Sequence, residues 1–269
     1  MKKYMIRCDI EGVTGVVSYE QSNPGMAEHD FGKRMFMADL LALVEGLNAG
    51  GADEIWIYDE HYFGRNIDIA ALPENVKAIC GKPPYTADWA GGLDESFDGL
   101  ILQGFHSKNG TGELLHHSYE PDIKDLVLNG MSIGEIGIET AVAGDWGVPL
   151  LMIIADSAGV KEAETLASGV IGVSVKKSLG ASGGACLSGK LTLRMIHEAA
   201  KKVVSNPPSV KAWKVNAPEL KIVFNPGPCL NKFRELFNCG DDIVITGKTV
   251  TECWAKYWQM KLKTQDAMK

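Results

Sequence analysis

At 269 residues, with 45% apolar and 23% charged residues, the chain has the make-up of a globular protein, one large domain or a domain with a smaller companion, and not of a disordered one. A formal charge of −7 argues against polyanion binding, which excludes nucleic acid as the expected partner. Six cysteines lie far apart with no C-x-x-C pair, so neither a disulfide frame nor a thiolate zinc site is expected, and no apolar run is long enough to cross a membrane. The chain is expected in the cytoplasm.

In chain order, the apolar stretch "YMI" reads as a strand that ends at "CDIEGVTG" (8 to 15). Asp9 and Glu11 stand at i and i+2 and share a face if the backbone is still extended there. Two ionised carboxylates side by side repel, and a divalent cation between them removes the conflict. Phe36, Leu40, Leu43, Val44 and Leu47 recur at helical spacing, and "NAGG" stops that helix. "EIWIYDEH" (54 to 61) and "DGLILQGFH" (98 to 106) are further strands. "LVLNGMSIGE" (126 to 135) carries an Asn-Gly hairpin signal, and a helix follows from "EIGIETAVAG".

"VPLLMIIADS" (148 to 157) is apolar throughout, as a strand covered on both faces must be. A helix near "VKEAETLAS" and a strand at "VIGVSVKK" continue the alternation. This predicts an α/β fold, a three-layer α/β/α arrangement around a largely parallel sheet. From residue 179 the texture turns to glycine and serine, followed by a helix, two strands and a last helix around "ECWAKYWQMKLK". The expected division is a metal-binding catalytic domain over 1–178 and a smaller α+β subdomain over 179–269, serving access and oligomerisation.

Polar residues gather at the predicted strand ends: Asp9 and Glu11 after the first, Asp59 and His61 after the second, His106 after the third, and Glu135 after the hairpin. Open α/β sheets bind ligands at the carboxyl ends of their strands. Singly, each has a plainer reading: a histidine after a strand is often a hydrogen-bonded structural residue, Asp59 suits a turn, and Glu135 suits the positive end of a helix. Together, carboxylates and imidazoles without thiolates suit zinc, manganese or iron, and their number exceeds the needs of one four-coordinate ion. A pair of ions roughly 3.5–4 Å apart would use them. "GELLHHSYEP" adds His116 and His117, which point different ways if the chain is extended.

The segments "DIEGVTG", "DEH", "GFH", "HS" at 117 to 118, "NGMSIGEIG" and "DSAGVKEAE" resemble, in order and spacing over roughly the first 180 residues, the DppA-type D-aminopeptidases, dinuclear zinc peptidases of the dipeptide-transport operon kind. The resemblance implies that Asp9 bridges two zinc ions and that Glu11, His61, His106 and Glu135 complete the ligand set. It also implies that His117 is the base or nucleophile and that Asp59 orients an imidazole from outside the ligand set. The implied activity is hydrolysis of small peptides, with D-residues at the amino end, inside a homo-oligomeric ring such as a decamer.

Two rival functions are weaker on the residues. A two-metal phosphoesterase or another amidohydrolase could share the ligands, but no G-N-H motif or basic phosphate clamp accompanies them. A peptide-binding transport protein would need a signal segment, and Arg7 and Asp9 interrupt the first apolar run too early for one. "GACLSGKL" lacks the Ser or Thr of a P-loop, and "HEAAK" lacks the second histidine of a zincin helix.

Overall fold

The computed structural model describes residues 1–269. The chain begins with β1 (Lys3–Cys8), passes through the short α1 (Tyr19–Ser22) and long α2 (His29–Gly50), and returns as β2 (Glu54–Asp59), parallel to β1 with Cys8 opposite Asp59. β3 (Val76–Ile79) extends this side of the sheet, and β4 (Gly99–Phe105) comes back to the other side of β1. Next come the hairpin β5 (Ile123–Leu128) and β6 (Met131–Ile133), α3 (Glu135–Asp145), β7 (Leu150–Asp156), α4 (Ser157–Leu166), β8 (Ile171–Ser178) and β9 (Gly184–Cys186). α5 (Gly189–Ser205), β10 (Glu219–Phe224), α6 (Pro228–Phe237), β11 (Asp242–Thr246) and α7 (Val250–Met268) complete the chain.

The large sheet has the order β3-β2-β1-β4-β7-β8-β9, parallel except for β9. Alternation along β1 explains its two covered faces. Tyr4, Ile6 and Cys8 join one core cluster with Phe36, Leu40 and Leu43 of α2 and Ile196 of α5. Met5 joins another with Ile136 of α3 and Val160 of α4. Every residue of β4 and β7 is buried, which accounts for their nearly unbroken apolar sequence. Gly51, at φ 91°, closes α2 as the "NAGG" stretch predicts.

β1 lies between β2 and β4, so the connections leave it in opposite directions and open a crevice at the carboxyl ends of β1 and β4. The chain beyond β1 is pressed onto β4 there. Gly12 N–H donates to the Gly104 carbonyl at 2.7 Å, and a Cβ on Gly12 would stand 1.7 Å from the Phe105 carbonyl oxygen. Gly104 has φ +77°, and its Cβ would stand 2.0 Å from the Asp9 carbonyl oxygen.

The second sheet, β11-β10-β5-β6, is antiparallel. Asn129 and Gly130, at φ 47° and 82°, make the tight turn between β5 and β6 that the Asn-Gly pair predicts. The two sheets do not divide at 178/179, where the sequence texture changes. The hairpin buries Leu126 and Leu128 by pairing with Ile222 and Leu220 of β10, so the smaller sheet draws two strands from before that point. Conversely, α5 from after it lies on α2, where a Cβ on Gly46 would meet the His197 carbonyl oxygen at 2.4 Å. α6, unmarked in the sequence reading, buries Leu230 and Phe233 one turn apart behind Pro228.

Asp39 of α2 anchors the chain beyond β1. Its fully buried carboxylate accepts from Thr14 N–H at 2.8 Å and Thr14 Oγ1 at 2.9 Å, and Thr14 also meets Thr192 of α5 at 3.0 Å. Burial pushes the Asp39 carboxyl up to about 6 despite the Thr14 bonds and the nearby Lys176. A carboxyl raised on folding stabilises fully below its unfolded value of ~3.9, and that stability is lost as pH rises through the folded value. Between ~pH 4 and 7 the loss should reach about 3 kcal/mol. Asp39→Asn should remove it, so in urea unfolding of the apoproteins the stability of wild type relative to the variant should fall by about 3 kcal/mol from ~pH 4 to 7; a constant or rising difference would refute the assignment. Gly12→Ala should destabilise by about 3 kcal/mol, lowering Tm by ~6–12 °C. An unchanged melting curve would show that the contact with Phe105 relaxes freely.

Candidate metal centre

The strand ends bring the five side chains named from the sequence into one buried cluster. His61 Nε2 lies 3.5 Å from Glu11 Oε1, and His106 Nε2 lies 3.3 Å from Asp9 Oδ2 and 3.4 Å from Glu135 Oε1. Two compact ligand triads result, Asp9–Glu11–His61 and Asp9–His106–Glu135, with each triad's ligand atoms within 4.8 Å of one another. Asp9 belongs to both. A third group, Glu11–His106–His117, places His117 against the same cluster.

The donor set fits cations. Asp9 Oδ2, Glu11 Oε2, His61 Nε2 and His106 Nε2 are buried with no hydrogen-bond partner in the protein, an arrangement that is costly unless something else satisfies them. In the protein alone, burial pushes the Asp9 carboxyl up to about 7, with Glu11 and Glu135 adding to the rise against the pull of His106. Burial also acts upward on Glu11, but His61, His117 and His106 outweigh it and hold that carboxyl well below its usual range. His106 is desolvated, yet Asp9 and Glu135 raise its pKa well above the ordinary imidazole value.

The rings are aimed by their second nitrogens. His106 Nδ1 is 2.9 Å from the Ser107 carbonyl and His117 Nδ1 is 2.9 Å from the Leu115 carbonyl. In a neutral ring, the form a metal ligand takes, an N–H donated to the carbonyl leaves the Nε2 lone pair facing the cluster. The two rings stack at 4.1 Å, 8° from parallel, and His117 Nε2 is 3.8 Å from Glu135 Oε1. Burial first, and then the neighbouring His106, lower the His117 pKa, which favours the neutral imidazole. His116 turns elsewhere, with Nδ1 accepting from Gly110 N–H at 3.2 Å.

Asp59 acts on the His61 turn, not on the His61 ring. It accepts from His61 N–H at 3.3 Å, Asn66 N–H at 2.6 Å and Asn66 Nδ2 at 3.0 Å. The Asn66 amide in turn lies 3.3 Å from His61 Nδ1. Three other supporting residues escaped the sequence reading. Lys176 of β8, buried, donates to the carbonyls of Glu11, Val13 and Val16 and pins the segment that carries two ligand candidates. Asp156 accepts from Ser107 N–H at 3.1 Å while capping α4 through Ala158 and Gly159. Tyr119 N–H donates to Glu135 Oε1 at 2.6 Å.

Backbone strain gathers at this place. Tyr62, Leu115 and Tyr119 have φ of 48°, 54° and 58°, and they flank His61 and His117. The cluster opens into a cavity of about 820 Å³ whose walls include Tyr19, Tyr62, Phe63, Tyr85, and Trp254 and Trp258 of α7. Buried oxygen and nitrogen donors at the foot of an aromatic cavity can bind cations and present them to a small molecule.

Comparison with known proteins agrees with this geometry. The model of the peptidase M55 family, D-aminopeptidase, matches residues 1–227, well past the point near residue 180 where the motif resemblance fades. A D-aminopeptidase of Bacillus subtilis (strain 168) is 28% identical over 214 residues, covering 78% of this chain and 76% of its own length. The structure of the Zn-dependent D-aminopeptidase DppA from Bacillus subtilis, a self-compartmentalizing protease, superposes with a TM-score of 0.90 over 98% of both chains at 23% identity. With the family match spanning both triads and the stacked histidines, the chain belongs to the M55 family of D-aminopeptidases.

Proposed function

We propose that the chain is an aminopeptidase that hydrolyses short peptides, with D-residues at the amino end, through two zinc ions. Asp9 would be shared between the ions, with Glu11 and His61 completing one site and His106 and Glu135 the other. The observation that carries this reading is the membership of Asp9 in both triads, together with four buried ligand atoms that lack a protein partner. Zinc bound there supplies Lewis acidity, which polarises a peptide carbonyl and brings the pKa of water toward neutrality.

The protein's own part is to place a neutral base beside that chemistry. His117, with its Nδ1–H bonded to the Leu115 carbonyl, keeps Nε2 free to take a proton from the attacking water and to return it to the departing amine. Its stacking on His106 and the strained Leu115 hold it in register with the ligands. Tyr119, through its backbone N–H, keeps Glu135 turned toward the cluster.

Residues beyond 178 contribute access: Trp254, Trp258, Leu262 and Gln265 of α7 and Asn225 after β10 form part of the cavity wall. We read this part as governing what reaches the site and how subunits assemble. A homo-oligomeric ring is supported by the likeness to a self-compartmentalizing protease. All six cysteines are unpaired and no helix is long and apolar enough to cross a membrane, which supports a cytoplasmic setting.

Metal analysis joined to assays on D-Ala-D-Ala, L-Ala-L-Ala and a phosphodiester tests the reading; cleavage of the phosphodiester alone would overturn it. Asp9→Ala should empty both sites, from about two ions per subunit to about none. Retention of full metal content by that variant would contradict the shared ligand. His117→Ala should keep its zinc and lose turnover by ~10²–10⁴-fold. A covalent adduct trapped on His117 in the wild-type enzyme would instead identify it as the nucleophile.

A further inference from the structure

One acid in the cavity wall belongs to neither triad. Glu60 follows Asp59 directly, lines the cavity, and keeps 15% of its side-chain surface open. Its Oε1 forms an ion pair with Arg7 Nη1 at 3.4 Å but no hydrogen bond, while Arg7 donates from Nη1 to Glu139 and from Nη2 to the Ala90 carbonyl. Arg7 and Glu139 are sealed from solvent, and the other oxygen of Glu139 accepts from Tyr119 Oη at 2.7 Å. One guanidinium thus faces two carboxylates. Glu60 is the member of the group that reaches the cavity.

The surroundings of Glu60 offer acceptors. Tyr85 Oη, also in the cavity wall, is buried without a partner. Tyr58 presents its ring to the same region, with Lys82 Nζ 6.0 Å from the ring centre and donating to the Glu60 carbonyl. An exposed lysine of the chain therefore already brings an ammonium to this wall. A carboxylate, a phenol oxygen and a π face together match a group with three N–H donors, a positive charge and no acceptor.

We propose that Glu60, Tyr58 and Tyr85 form a subsite for a primary ammonium group of the substrate, either the free amino end of a peptide or an aminoalkyl side chain. Its assignment to a peptide rests on the aminopeptidase reading; its chemistry does not. Such a subsite would make cleavage depend on a free amine, since an acylated nitrogen has neither the charge nor the donors.

Calorimetric titration of the zinc-loaded enzyme with non-hydrolysable ligands tests this directly. D-alaninol carries an ammonium next to the reacting position, 5-amino-1-pentanol carries one at a distance, and 1-propanol carries none. Glu60→Gln should weaken at least one of the two amines by about tenfold, in line with loss of a charged hydrogen bond, and leave 1-propanol unchanged. Loss confined to D-alaninol assigns the subsite to the peptide's amino end, and loss confined to 5-amino-1-pentanol assigns it to a side chain. Lys82→Met, which removes the resident ammonium from an exposed position, should tighten the same amine by about threefold.

Affinities for both amines within twofold of wild type in a folded, zinc-containing Glu60→Gln protein would overturn the proposal, and so would equal weakening of 1-propanol. Should Glu60→Gln fail to fold, unchanged amine affinity in Lys82→Met would overturn it. A wild-type enzyme that binds the amine more tightly than Glu60→Gln yet cleaves no peptide leaves the subsite standing and removes the aminopeptidase reading.

Discussion

Three carboxylates, Asp9, Glu11 and Glu135, are held together out of water, and the rest of the structure can be understood from that constraint. Mutual repulsion and desolvation would scatter them in a flexible protein. Two imidazoles offset part of the charge, and the remaining lone pairs converge where divalent cations would complete the balance. The backbone must therefore be stiff at the points from which these side chains project.

That stiffness comes from several directions. Gly12 and Gly104 let the chain beyond β1 lie directly on the end of β4. Lys176 gathers three carbonyls of the same segment from β8, and Asp39 fixes it to α2 through Thr14. Asp59 and Asn66 hold the His61 turn, and Asp156 ties the residue after His106 to the start of α4. The segments carrying Asp9, Glu11 and His106 are thus restrained by polar contacts from elements other than their own strands, and the His61 turn by the end of its own strand and the loop that follows. Metal affinity in such a site depends on these supports nearly as much as on the ligands.

The side chains that converge were legible because a strand end is legible: an apolar run stops, and Asp9, Glu11, His61 and His106 stand at the stops. Parallel strands with a switch point then carry those stops to one edge. Apart from Asp59, the supports were not legible. Lys176 lies 165 residues from Glu11, and nothing in a β-branched stretch distinguishes a buried lysine from a solvated one. Asn66 reads as a turn residue until Asp59 is seen to fold over it. The partner of the β5–β6 hairpin, β10, comes some ninety residues later, and single-sequence spacing carries no information on such pairing, so the expected border at 178/179 followed composition instead.

The wall of the cavity contributed by α7 has an evolutionary consequence. Trp254, Trp258, Leu262 and Gln265 lie one helical turn or less apart on a single element near the end of the polypeptide, beyond the residues matched by the family model. None of them is a metal-ligand candidate. Descendants of this chain could therefore retune what the cavity admits by exchanging Trp258, Leu262 and Gln265, while Trp254, which packs on Tyr119, stays in place.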